Sequence, residues 1–111
     1  MPLFDTERVD ALFAVLGETG GRRLLETFAD QLSAEMRELV DVVMQGDLCE
    51  TERHAHGLKG AAANFGATRL QMASRKVEQA AHSQAASARI ARLLVDLDRV
   101  AQQTSRAARQ L

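Results

Sequence analysis

The chain has 111 residues, which is enough for one modest core but not for a second, nucleotide-binding domain beside it. Its 14 basic and 15 acidic residues leave a net charge of −1, so global charge gives no attraction to nucleic acid or to an anionic membrane. We therefore expect protein partners and no nucleic acid.

Cysteine usage and hydropathy indicate where the chain resides. The lone cysteine, Cys49, excludes an internal disulfide, and the amino terminus lacks the basic start and apolar run of a signal peptide. No apolar stretch approaches the roughly 20 residues that span a bilayer. We therefore expect a cytoplasmic protein without membrane insertion, in which Cys49 and the four methionines serve as packing residues.

The amino-terminal half predicts a short helix followed by a long one. Asp5 or Thr6 can cap the first helix, and the glycines within residues 17–21 end it. From about Arg22 an apolar stripe continues until Gly46, with charged residues on the opposite side. Residue usage rich in alanine, leucine, arginine and glutamate, with one proline, favours an all-α fold throughout.

Three further helices follow. A capping box at Asp47 opens the third, which ends at Gly66; Thr68 with Gln71 repeats the device for the fourth, and Ser87 offers a cap for the fifth. Short connections predict that the last four helices form an up-down-up-down antiparallel four-helix bundle, with the short first helix packed across one end. The Met1 start and the absence of a linker lead us to expect one stand-alone domain over residues 1–111.

The third predicted helix places a histidine, a lysine and a glycine on one exposed face. Its apolar residues fall in one core-facing stripe, namely Ala55, Leu58, Ala62 and Phe65. His56 lies roughly 140° from the centre of that stripe, and Lys59 and Gly60 follow it at i+3 and i+4. A glycine inside a helix costs about 1 kcal/mol relative to alanine, so an exposed Gly60 indicates the close approach of a partner.

These residues carry a resemblance to a known family. The string His-x-Leu-Lys-Gly at residues 56–60, followed by three alanines and the Gly66-Ala67 pair, resembles the signature of the histidine-containing phosphotransfer (Hpt) domain of bacterial multistep two-component phosphorelays. Phe28, the turn at residues 46–47, Leu70 and Glu78 also lie where that family tends to have them. The resemblance covers nearly the whole chain.

The resemblance implies a phosphorelay intermediate. His56 would accept a phosphoryl group through Nε2 from a receiver-domain aspartate and pass it to the aspartate of another response regulator. Lys59 would compensate the phosphoryl charge and assist docking, and Gly60 would give the partner access. Such a chain is a phosphocarrier without catalytic turnover of its own.

The resemblance also implies what surrounds this histidine. A polar residue of the fourth helix would hold its inner nitrogen, and the candidates are Arg75, Glu78, Gln79 and His82, with the choice left open. We expect no cofactor or bound metal, because the carboxylates show no clustered metal spacing, and we expect magnesium in the partner receiver domain. The partners would be response regulator receiver domains and a sensor or hybrid histidine kinase, each meeting a monomer.

Two neighbouring features complete the predicted surface. His54 points some 200° around the helix from His56, which makes it a hydrogen-bonded residue at the edge of the core, and this spacing cannot chelate one metal from a regular helix. The resemblance suggests that the docking surface is formed by the third helix around His56 with neighbouring parts of the first two helices, where Leu12, Ala63 or Leu25 can contribute apolar contacts.

Other functions remain open from the sequence. A non-phosphorylated adaptor bundle that binds response regulators would carry the same residues, and Lys59 can be an ordinary solvated lysine. The phosphoacceptor domain of a histidine kinase usually has an acidic residue directly after its histidine, whereas this chain has Gly57. A metal-binding four-helix bundle would need inward-facing Glu-x-x-His pairs on separate helices, and the sequence has none.

Overall fold

The computed structural model describes residues 2–111, which form four helices joined by turns of three or four residues: α1 at Thr6–Met44, α2 at Leu48–Asn64, α3 at Thr68–His82 and α4 at Ser87–Gln110. Each helix packs against the next, and α4 closes the bundle by packing against α1. Glu52 near the start of α2 contacts His82 at the end of α3, and the carboxyl-terminal end of the chain contacts Arg22 and Asp30 of α1. The predicted all-α, up-down-up-down bundle is confirmed. None of the described helices combines the length and apolarity of a transmembrane span.

The first helix is bent sharply at Gly17, whose φ of 74° and ψ of 174° lie outside the helical region. Glycine adopts this backbone without a Cβ clash. The bend folds Phe13 onto Gly21: a Cβ built on Gly21 would lie 2.5 Å from the Phe13 ring, whereas a straight helix would separate the two residues by about 12 Å. The predicted end of the short first helix is thus confirmed at Gly17, whereas the long helix begins at Glu18 and not near Arg22 as predicted.

The segment before the bend packs across one end of the bundle, as predicted. Asp5 caps it, since its Oδ1 accepts from the Glu7 amide at 3.0 Å. The Asp5 amide donates to the Gly66 carbonyl at 2.7 Å, and Arg8 Nε donates to the Asn64 carbonyl at 2.9 Å. These bonds fasten the segment to the turn between α2 and α3.

The core draws one apolar stripe from each helix. Its fully buried large members are Leu25, Leu32, Leu39, Leu70, Val77 and Leu97. Phe28 and Phe65 stack with ring centroids 4.4 Å apart, which joins α1 to the turn after α2. Buried Thr51 and Thr104 satisfy their hydroxyls by donating to the carbonyl four residues earlier, at 2.7 Å in each case. Tight packing on this scale holds α2 and α3 in one register.

Two predicted helix caps are wrong. Thr68 is the first residue of α3 rather than its cap, and its hydroxyl donates to the Pro2 carbonyl at 2.8 Å. Ser87 likewise follows the cap residue Ala86, and neither helix has a side-chain cap hydrogen bond. The Thr68 hydroxyl, which the local pattern assigns to a helix cap, instead donates to a residue that is distant in the sequence.

The interpretation of the sulfur-containing residues as packing material is wrong at three positions. Cys49 is exposed, and the side chains of Met44 and Met72 are 81% and 43% exposed. Met36 is buried as predicted, and Met1 lies outside the described residues. These three exposed residues lie outside the apolar stripes by which their helices face the core.

Candidate functional site

The exposed side of α2 carries His56 among residues with little or no side chain. The helix buries three apolar residues against the bundle, namely Ala55, Leu58 and Ala62. On the other side, the His56 side chain is 68% exposed. A Cβ built on Gly57 or Gly60 would meet no atom within 4 Å. Packing within the chain therefore demands neither glycine, and their missing side chains leave the surface beside the imidazole open.

Glu78 of α3 contacts both polar side chains that the sequence singled out on α2. Its Oε2 lies 2.5 Å from His56 Nδ1, and its Oε1 accepts a hydrogen bond from Lys59 Nζ at 2.7 Å. Glu78 is 16% exposed and Lys59 is 28% exposed. The carboxylate therefore forms the base of the site, and the imidazole is its outermost group.

The charge of Glu78 determines which nitrogen of the imidazole is free. Burial raises the pKa of Glu78, but the hydrogen bonds from Lys59 and His56 outweigh burial and hold that pKa below its usual value. An ionised carboxylate only accepts hydrogen bonds, so we assign the proton of the neutral imidazole to Nδ1. Nε2, on the far side of the ring, then carries the free lone pair that a nucleophile needs.

The other three candidates on α3 do not contact this imidazole. His82 Nδ1 lies 2.9 Å from Glu52 Oε2 and forms a separate pair one helical turn away. Arg75 and Gln79 are exposed, and within residues 2–111 their side chains form no hydrogen bond or ion pair. The structure thus selects one of the four residues that the sequence left open.

His54 lies on the opposite flank of α2, toward α1, at the edge of the core. Its Nε2 is 3.3 Å from Arg53 Nη2 and 3.5 Å from Glu50 Oε2, and its Nδ1 is 3.8 Å from Glu38 Oε2. The side chain is 20% exposed. This is the hydrogen-bonded boundary position that the sequence predicts for it, and both ring nitrogens have charged neighbours.

The apolar residues proposed for a docking surface fall into different environments. Ala63 is exposed and Leu12 is half-buried. Leu25 is 1% exposed, so the expectation that it contributes to docking is wrong, because it lies in the core between the helices. Beside the bend in α1, Val15 and Leu16 expose 84% and 44% of their side chains instead.

Comparison with known proteins connects this geometry to a family. A family model for the Hpt domain matches residues 23–107, which begin after the bend in α1 and end in the last turn of α4. The chain belongs to the Hpt domain family. Membership assigns the chain a histidine phosphotransfer role in a phosphorelay and implies partners such as response regulators and kinases.

A solved structure agrees with the Hpt fold. The chain resembles an X-ray structure of a rice protein described as a candidate histidine-containing phosphotransfer protein, with a TM-score of 0.67 and 19% identity. The match covers 97% of this chain and 83% of the rice chain. At this identity the likeness concerns the fold alone. No curated protein matches the chain.

Sequence reasoning missed the contribution of Glu52 to this face of the Hpt domain. Glu52 and His56 are four residues apart on α2, and Glu78 and His82 are four residues apart on α3. Because the two helices are antiparallel, each histidine meets the glutamate of the facing helix. The signal was present as two Glu/His pairs at i, i+4 spacing with the same order along the chain, which two antiparallel helices bring face to face in opposite directions.

Proposed function

We propose that His56 is the phosphoacceptor of this Hpt domain and that it relays a phosphoryl group between the aspartates of two receiver domains. The contact of 2.5 Å between His56 Nδ1 and Glu78 Oε2 carries this proposal, because it leaves Nε2 as the lone-pair nitrogen on the exposed side. The open surface at Gly57 and Gly60 allows a partner to approach that nitrogen closely.

The transfer step follows from this arrangement. Nε2 attacks the phosphorus of the aspartyl phosphate of a partner, so an N–P bond forms while the acyl P–O bond breaks and the aspartate leaves as a carboxylate. Nδ1 keeps its proton and its hydrogen bond to Glu78, which stabilises the positive charge that the ring acquires. Transfer to a second aspartate reverses these changes and restores the neutral imidazole. The chain is therefore a carrier and has no turnover of its own.

Lys59 and Gly60 support the transfer without making bonds to phosphorus. The ammonium of Lys59 lies 2.7 Å from Glu78 Oε1, next to the carboxylate that holds the imidazole. Its flexible stem lets it turn toward the phosphoryl oxygens once they arrive and compensate their charge. Gly60 leaves room for the phosphorylated loop of the receiver domain.

We place the magnesium ion of the exchange in the partner receiver domain. Divalent magnesium is usually held by one or two carboxylates together with phosphate and water oxygens. The carboxylate nearest the imidazole, Glu78, already accepts hydrogen bonds from His56 and Lys59. The proposed partners are therefore a sensor or hybrid histidine kinase and response regulators, whose receiver domains supply both the aspartate and the metal to a monomeric carrier.

His82 provides a matched control for this proposal. Its imidazole is 78% exposed and also contacts a carboxylate through Nδ1. It is, however, the last residue of α3, where the negative end of the helix dipole disfavours the addition of a phosphoryl group. His54 provides a second control, since it is largely buried between two carboxylates.

The test is incubation with a panel of phosphorylated receiver domains in the presence of magnesium. The wild-type chain should acquire a label that acid removes and base does not, and H56Q should acquire none. H82Q and H54Q should be labelled like the wild type. Label that survives in H56Q, or that disappears in H82Q, would contradict the assignment of His56. Binding of receiver domains without labelling would favour the adaptor function.

A further inference from the structure

A basic furrow runs between α3 and α4. It consists of two open cavities of about 380 and 340 Å³ that share Lys76 among their lining residues. Four cationic side chains line it, namely Arg69, Lys76, Arg89 and Arg99. Asp96 is the one carboxylate among the lining residues, and it pairs with Arg99. The furrow therefore presents an excess of positive charge.

The distribution of charge along the chain reinforces this excess. Residues 68–111 contain eight arginines and lysines against three acidic residues, whereas residues 1–47 contain four against ten. The near-zero net charge of the whole chain is thus the sum of unequal parts: the α3–α4 side has a net charge of +5, and the amino-terminal segment has a net charge of −6. An anionic partner is attracted to one side of the bundle and repelled from the other.

Apolar side chains lie among these cations. Met72 of α3, which lines the first cavity, is 43% exposed, and Leu93 of α4, which lines the second, is half-buried. A complementary ligand must therefore alternate acidic and apolar side chains along a helical face. The furrow extends from Arg69 to Ser83, the residue after α3, which is about 21 Å and matches a helix of about 14 residues.

We propose that the basic furrow binds an acidic amphipathic helix of a partner protein. The lining contains no aromatic residue on which nucleobases can stack, and the acidic amino-terminal segment repels a long polyanion, so a protein helix fits better than nucleic acid. The charge complementarity also favours an acidic segment over any apolar one.

The furrow leaves the site around His56 free. Glu78 and His82 of α3 face α2, whereas Lys76 and Gln79 face α4, so the two surfaces lie on different sides of α3. A partner held in the furrow would raise the effective concentration of any receiver domain attached to it. This consequence rests on the proposed phosphotransfer, but binding in the furrow does not.

The test uses a helical 14-residue peptide with leucines on one face and glutamates elsewhere, and the same peptide with glutamine in place of glutamate. The acidic peptide should perturb amide NMR signals of α3 and α4. K76E/R89E should weaken its binding by at least about tenfold. D96N should tighten it, because the variant removes the one carboxylate of the furrow; this gain cannot come from misfolding. R23E/R37E on α1 is the matched control and should bind like the wild type.

Four results would overturn the proposal. These are equal binding of the glutamine peptide, perturbation mapped to α1 or α2, tighter binding of a 14-nucleotide single strand than of the peptide, and self-association that K76E/R89E abolishes. Peptide binding is measured on the unphosphorylated chain, and K76E/R89E should still accept label from an isolated receiver domain. Failure of the furrow proposal and failure of the His56 proposal are therefore separate results.

Discussion

The two flanks of α2 use the same residue types with opposite electrostatics. On the α3 flank one carboxylate, Glu78, meets both an ammonium and the imidazole of His56. On the α1 flank one imidazole, His54, lies between the carboxylates of Glu38 and Glu50, with the Arg53 guanidinium 3.3 Å from its Nε2. The first arrangement leaves one ring nitrogen free, whereas the second leaves none. The histidine two residues away along the same helix therefore has no free ring nitrogen to offer a partner.

The pKa values of two glutamates reflect this difference. The hydrogen bonds from Lys59 and His56 hold the pKa of Glu78 low in spite of burial. On the α1 flank, burial raises the pKa of Glu35, the charge of Glu38 raises it further, and His54 offsets only part of this. A carboxylate among cations stays charged and can orient an imidazole, and a carboxylate among carboxylates cannot do so as well.

The largest effect should come from E78Q. An amide can present either its oxygen or its NH₂ group to Nδ1, so it no longer holds one tautomer, and it cannot stabilise a positive ring. We expect phosphotransfer to His56 to slow by about 10- to 100-fold, the range for loss of a group that orients a reactive histidine. Label transfer rates measure this effect, and ¹⁵N shifts of the imidazole report the tautomer.

E50Q is the matched variant on the other flank. It removes a carboxylate 3.5 Å from His54 Nε2 without touching the exposed site, so its transfer rate should stay within about twofold of the wild type. Equal slowing in E50Q and E78Q, or an unchanged tautomer in E78Q, would mean that the two flanks do not differ as described.

A smaller loss should follow K59A. It removes the charge that compensates the phosphoryl oxygens, and we expect transfer to slow by about tenfold, the size of one charge-assisted hydrogen bond. The rate should also depend less on ionic strength than in the wild type, since one steering charge is gone. K59R should recover part of the rate. A rate in K59A equal to the wild type would make Lys59 an ordinary solvated lysine.

Local pattern was enough to predict the bundle and the exposed face of His56. Helix periodicity along residues 48–64 separates Leu58 from His56 because about 100° per residue fixes which side each occupies once a core exists. The Asp47 cap was also readable, because its partner is the amide of Glu50 three residues away at 3.0 Å.

Contacts between helices were not readable in the same way. Selecting Glu78 over its neighbours on α3 requires the rotation and axial register of α3 against α2, which depend on the packing of a core drawn from all four helices. Thr68 illustrates the same limit, since its hydroxyl bonds to Pro2, 66 residues away. Local sequence carries no signal for such a partner.

Replacing Gly60, on the exposed face of α2 between the two flanks, should raise stability and, with a large side chain, reduce access for the partner. G60A removes the cost of a glycine inside a helix, and its Cβ meets no atom within 4 Å, so the free energy of unfolding should rise by about 1 kcal/mol. Urea unfolding measures this gain. G60F should keep the fold and slow phosphotransfer, because a ring there obstructs the partner. If G60F transfers as fast as G60A, partners do not approach the face of α2 at Gly60.

The smallest expected effect is on the pH dependence of stability, which compares the two flanks most directly. Glu78 has a lowered folded pKa, so its contribution is present above the unfolded pKa and is lost as pH falls through the folded pKa. Glu35 has a raised folded pKa, so its charged form costs stability at neutral pH and acidification relieves that cost. At pH 7, E78Q should therefore be less stable than the wild type and E35Q more stable, and both differences should shrink toward pH 3. Urea unfolding across that range measures both, and differences of the same sign would mean that the flanks share one electrostatic character.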